Sequence, residues 1–178
     1  MLPDFHKKWS CVVADEGVLT RMAAQLPDKI AFNGEQLDLY SNPLEQFWIV
    51  TKKVRPHFIS SSECTRGYVA GWEIRDNKLL LTEIDGSYER KFIFFRKPAK
   101  YSLRKLFPRS KNKPVRANWF SGKLRVPIGS MTMFEDSGYD SRFEKEFIVT
   151  IHEGEVVKVV TIDFKKKSLV INSEATLA

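Results

Sequence analysis

The feature that most constrains this chain is the recurrence of tight-turn residues between short β-branched and aromatic runs. Asn33-Gly34 interrupts KIAFNGEQLDLY. Both positions tolerate positive φ, so the pair specifies a two-residue hairpin whose twist matches that of the flanking strands. Asp76-Asn77 separates RGYVAGWEIR from KLLLTEIDG as a second hairpin, and His152-Glu153-Gly154 separates RFEKEFIVTIHEG from EVVKVVTIDF. The last of these runs carries Val156, Val157, Val159, Val160 and Ile162, the β-branched content that a pleated surface favours. SLVIN follows after Lys165-Lys166-Lys167 as a further strand.

In the middle of the chain Asp85-Gly86 reads as a turn, so that YERKFIFFRK becomes the third strand of a meander. Phe92 and Phe94 share strand parity, which predicts that this pair faces the core. About eight to ten strands result. Against them stands one helix, DEGVLTRMAAQLP, N-capped at Asp15 and stopped by Pro27, with Val18, Leu19, Met22, Ala23 and Leu26 at helical spacing. In SNPLEQFWIV, Asn42-Pro43 suggests a turn, and Leu44, Phe47 and Trp48 can line one side of a helical turn. The expected fold is mainly β, an antiparallel sandwich or partly open barrel, with α+β as the alternative. Residues 1–27 form an N-terminal helical element and 28–178 a single β-rich domain. A length of 178 residues suits one domain.

Charge is concentrated in one block. Residues 88–125 hold thirteen Lys or Arg against the single acid Glu89, a local net of +12, whereas the rest of the chain has 16 basic against 21 acidic residues. Such a block attracts a polyanion or an acidic protein face. Its plainer reading is a solvated loop, PRSKNKP, between two strands. Aromatic residues from Phe92 to Phe120 interleave with these cations, as a stacking platform for single-stranded nucleic acid requires. In RANWFSGKLRVPIG, Gly122 and Pro127 indicate a bent strand with Trp119 or Phe120 turned inward and little pairing beyond Pro127. Arg116, Lys123 and Arg125 then rim this corner. With Arg104, Lys105, Arg109 and Trp119 they are the candidate partner-binding residues.

Catalytic signatures are sparse. His6, His57 and His152 stand in no metal-ligand spacing, and Ser60, Ser61 and Ser62 in no nucleophile elbow. No glycine motif cradles a phosphate. Glu83 and Asp85 share strand parity and form the one candidate carboxylate pair, ranked last. Cys11 and Cys64 read as reduced thiols. No cofactor, metal or catalytic residue is assigned. No stretch approaches the roughly 20 apolar residues of a spanning helix, so no membrane partner is expected and the default location is cytoplasmic.

NGEQLDLYSNPLEQF with RGYVAGWEIRDNKLLLTEIDG, and RANWFSGKLRVPIG with SGYDSRFEKEFIVTIHEGEVV, resemble a family of small bacterial cytoplasmic proteins of no established activity, over roughly residues 28–160. The resemblance implies a bacterial protein and transfers no residue roles. The leading expectation is a non-enzymatic binding protein, an immunity or antitoxin-like inhibitor of a partner with an acidic face. Nucleic-acid binding through residues 88–125 is the alternative.

Overall fold

The computed structural model describes residues 25–134 and 139–166 and the backbone of 168–172. The expected helix over Asp15–Pro27 lies outside them except for its last three residues, as do Cys11 and His6. From Asp28 onward the chain builds one ten-stranded, nearly closed barrel-like sheet. The expectation of a mainly β fold holds.

The first three elements follow their local signals. Strands β1 (Asp28–Phe32) and β2 (Glu35–Leu39) join through Asn33 and Gly34 at φ 52° and 79°. Helix α1 (Pro43–Thr51) takes proline in its first turn and ends at Lys52 in the left-handed region. It extends further than the helical turn read from Leu44, Phe47 and Trp48, all three of which it buries. Strands β3 (Tyr68–Arg75) and β4 (Lys78–Lys91) then pair antiparallel, with Asp76 and Asn77 both at positive φ between them. β1 pairs with β3 in parallel, Ile30 opposite Trp72.

Here the structure corrects the sequence reading. β4 passes straight through Asp85-Gly86 and continues to Lys91, where β5 (Arg96–Tyr101) pairs back along it. Gly86 is needed for closeness rather than for a turn: a Cβ there would lie 2.7 Å from the Tyr68 Cβ and 3.0 Å from the Gly67 carbonyl oxygen. The meander survives, but its second turn moves to Ile93-Phe94. The expected core placement of Phe92 and Phe94 therefore fails. They are 43% and 93% exposed.

The segment PRSKNKP is not a plain loop either. Helix α2 (Leu103–Leu106) buries Leu103 and Leu106, and a 3-10 turn (Pro108–Ser110) follows. β6 (Val115–Arg116) then pairs with β4. At the corner, Phe120 is buried and Trp119 partly so. β7 (Gly122–Met133) carries on past Pro127, which sits opposite Glu146, and its ladder becomes irregular after Ile128, first around Gly129 at φ 79° and again between Met131 and Met133. Proline is tolerated because β7 ends the order of the sheet. β8 (Arg142–His152), β9 (Glu155–Asp163) and β10 (Ser168–Asn172) complete it, with Glu153 and Gly154 at positive φ between β8 and β9.

Two slender joints close the barrel. β4 meets β9 at a single pair, Lys78 opposite Glu155, flanked by bonds from the Leu79 amide to the Gly154 carbonyl (2.9 Å) and from the Val156 amide to the Asn77 carbonyl (2.8 Å). At the other margin the chain leaving β2 reaches β7 through the Tyr40 amide and the Arg125 carbonyl (2.8 Å). Trp72, Tyr68, Phe32, Leu81 and Leu124 fill the interior, and α1 covers it with Phe47 and Trp48.

Candidate functional site

The far end of β4 leaves the barrel as a ribbon. Up to Gly86 the strand is flanked by β3 on one edge and by β6 and β5 on the other. The segment 57–59 takes over the β3 edge through the Ile59 amide on the Ser87 carbonyl (2.7 Å) and the Glu89 amide on the His57 carbonyl (3.3 Å). Beyond Glu89, β4 has β5 alone as a neighbour among the described residues. Residues 90–97 are thus a two-stranded finger.

Its tip reverses the usual order of surface and core. Ile93 and Phe94 are 91% and 93% exposed, with Phe92 and Phe95 about half exposed behind them. The Phe92 amide donates to the Phe95 carbonyl (2.8 Å), so Ile93-Phe94 forms a two-residue hairpin loop. Neither residue adopts positive φ. Glycine, asparagine and aspartate are favoured where a tight hairpin demands positive φ, as the two-residue turns at Asn33-Gly34, Asp76-Asn77 and Glu153-Gly154 do. Ile93-Phe94 meets no such demand, so turn geometry does not account for two large apolar side chains standing in solvent here.

Cations encircle the finger just behind the tip. Arg90 lies opposite Lys97, and Lys91 opposite Arg96. Like charges directly across a ladder destabilise it. Because successive residues on a strand face opposite sides, the four side chains occupy both faces of the ribbon. Arg90 covers the Phe92 ring at 5.1 Å and Lys97 the Phe95 ring at 5.3 Å, and the two rings stack on each other at 4.9 Å. Glu89 supplies one counter-charge, accepting from Arg96 at 2.9 Å.

The residues named from the sequence lie elsewhere and do not converge. Arg104 and Lys105 are exposed on α2, with the Lys105 ammonium 5.7 Å over the Tyr88 ring near the base of the ribbon. Arg109 is exposed in the 3-10 turn and lines an open depression with Lys53 and Phe107. Arg116 donates to Glu155 at 2.8 Å. Trp119 is committed to packing: it lies against Phe47 and Phe107 and donates to the Pro43 carbonyl at 3.3 Å. Arg125 is committed as well, forking onto Glu146 and donating to the carbonyls of Tyr139 and Ser141. Lys123 is exposed on β7. Glu83 and Asp85 both lie at exposed positions on β4.

A second polar constellation is internal. The Asp28 carboxylate, fully buried, accepts from the Arg66 guanidinium (2.8 Å), the Ala70 amide (2.9 Å) and the Trp72 indole (3.0 Å). Burial pushes its pKa up, opposed by the Arg66 charge and by these donors. Arg66 also donates to the Tyr139 hydroxyl at 2.7 Å, which stands 3.0 Å from the Asn42 side-chain oxygen and 3.2 Å from the Leu26 carbonyl. Nearby, Glu45 accepts from Tyr68 (2.7 Å) and from Arg55. Burial first, then the Glu45 charge, raises the Tyr68 hydroxyl far above its ordinary range, so it remains a donor. This network ties β1, β3 and the 139–141 segment together with its groups turned toward one another.

Sequence reasoning offered the aromatics from Phe92 onward as a stacking platform but sent Phe92 and Phe94 to the core, although a contrary signal was present. FIFF is apolar on both strand parities, so a half-buried strand could not have hidden all of it. Among the described residues no cluster of three potential metal ligands occurs, and no helix is long and apolar enough to cross a membrane. Comparison with protein-family models, curated proteins and solved structures finds no match, so the residues themselves carry the functional argument.

Proposed function

We propose that this chain is a non-enzymatic binding protein whose contact element is the β4–β5 ribbon, docking onto a partner that offers negative charge around an apolar interior. The observation that carries this reading is the Ile93-Phe94 loop, whose two apolar side chains are each exposed beyond 90%. The immunity or antitoxin-like inhibitor expected from the sequence would use the same ribbon against an acidic protein face. The perturbed titratable groups lend support, since Asp28, Tyr68 and Tyr139 are engaged in holding strands and loops together.

Nucleic-acid binding is the weaker reading. The rings of Phe92 and Phe95 are stacked on each other and covered by Arg90 and Lys97, which leaves Phe94 as the one open platform of the tip.

The test compares the full-length protein with I93N/F94G in one native bacterial lysate, scoring retained protein, lipid and nucleic acid at low and high salt. The wild type is expected to hold a species that the variant releases, with both equally folded. Equal retention by the two would overturn the assignment of the ribbon.

A further inference from the structure

Resting on the reading of the ribbon as the contact element, we infer that its partner is an anionic lipid surface, with Ile93 and Phe94 entering the boundary between headgroups and acyl chains while Arg90, Lys91, Arg96 and Lys97 meet the lipid phosphates.

The shape of the tip decides among occupants. A protein groove or a base stack engages one face of a ribbon. The apex is open on every side: Ile93 and Phe94, the two residues of the loop, are each exposed beyond 90%, while Phe92 and Phe95 stack behind them on one face under Arg90 and Lys97. A surface of that kind is matched by immersion in a medium. The cations repeat the pattern, because Arg90, Lys91, Arg96 and Lys97 form a collar on both faces. At about 3.3 Å per residue the Lys91–Arg96 pair stands roughly 7 Å, and the Arg90–Lys97 pair roughly 10 Å, behind the apex. That spacing matches the about 5–10 Å to which interfacial segments sink, so the collar reaches phosphate level when the tip reaches the acyl boundary. Long Lys and Arg stems suit this placement, since they lie along apolar surface with the charge held in the polar layer.

Electrostatics agrees. The like-charged pairs Arg90–Lys97 and Lys91–Arg96 repel across the ladder, and a negatively charged leaflet relieves that repulsion. A second copy of this chain docking tip to tip would not do so, because that contact brings two cationic collars together. The absence of a long apolar helix concerns spanning and leaves surface docking open. An apolar tip backed by charge also fits reversible attachment.

The experiment is co-sedimentation of the full-length protein with phosphatidylcholine vesicles, with and without phosphatidylserine. The wild type is expected to partition to the phosphatidylserine vesicles and to be released as salt rises from about 0.1 M to 1 M, where the screening length falls from about 10 Å to about 3 Å. I93N/F94G is expected to lose at least about tenfold in partitioning with an unchanged melting temperature. K91E/R96E, which keeps the apolar tip, is expected to lose the preference for phosphatidylserine. Equal binding by I93N/F94G and the wild type would overturn the inference, since attraction would then come from positive charge elsewhere on the chain. Failure of the wild type to bind phosphatidylserine vesicles would also overturn it. In that event, a lysate protein or nucleic acid held by the wild type and released by I93N/F94G would preserve the ribbon as contact element, whereas its absence would remove both readings.

Discussion

Asp28 and Phe94 are displaced from their usual surroundings in opposite senses. The carboxylate is completely buried, and the phenylalanine is 93% exposed. Each placement is costly by itself. The difference lies in where compensation comes from. Around Asp28 the chain supplies a guanidinium, an amide and an indole N–H, so the buried charge is answered internally. Around Ile93 and Phe94 the chain supplies cations and open solvent. The buried inversion concerns the fold, and the exposed one concerns a partner.

The largest effect should come from breaking the internal side. Asp28→Ala strands Arg66 in the interior, and a loss of about 3–5 kcal/mol of unfolding free energy is expected in chemical denaturation. A loss below about 1 kcal/mol would mean that the pair is not carrying its share of the fold. Tyr139→Phe removes the hydroxyl that accepts from Arg66 and should cost about 1–3 kcal/mol by the same measurement.

At the tip the effect on stability is small. Replacing Ile93-Phe94 by Asn-Gly removes two side chains exposed beyond 90%, and stability should stay within about 1 kcal/mol of the wild type in thermal unfolding while binding is lost. A fall of several kcal/mol would show that the tip is packed, which would collapse the contrast with Asp28. Smallest of all, Arg96→Ala breaks an ion pair whose partners are 62% and 46% exposed, and it also removes a like charge opposite Lys91. The melting temperature should stay within error of the wild type, since exposed pairs contribute about 0–1 kcal/mol.

How legible each region was follows from the range of the interactions involved. The hairpins at Asn33-Gly34 and Asp76-Asn77 could be read directly because positive φ is a demand met within two residues. Asp85-Gly86 misled because glycine there answers a neighbour from another strand, the Tyr68 side chain, which the local sequence does not reveal. That displaced turn carried the error onward: once YERKFIFFRK was taken as one strand, parity sent Phe92 and Phe94 inward. The buried network left a fainter trace. Asp28 shares its strand parity with Ile30 and Phe32, so an acid on the core face was visible in DKIAF, but its partner lies 38 residues away at Arg66. Trp119 and Arg125 drew attention by residue type. Sequence could not show that Phe107, Phe47 and Glu146 already engage them.

The parallel pairing of β1 with β3 acquires a further meaning from Asp28. Parallel strands joined by a long connection can slide during assembly, and hydrophobic alternation alone tolerates a shift by two residues. Here such a slide would carry the carboxylate away from the Ala70 amide and the Trp72 indole and leave Arg66 without its counter-charge. A one-residue shift would instead turn Lys29 toward the interior. Either shift strands a charge that the native alignment pairs, so a single aspartate acts as a register key for a pairing that hydrophobic alternation alone leaves ambiguous.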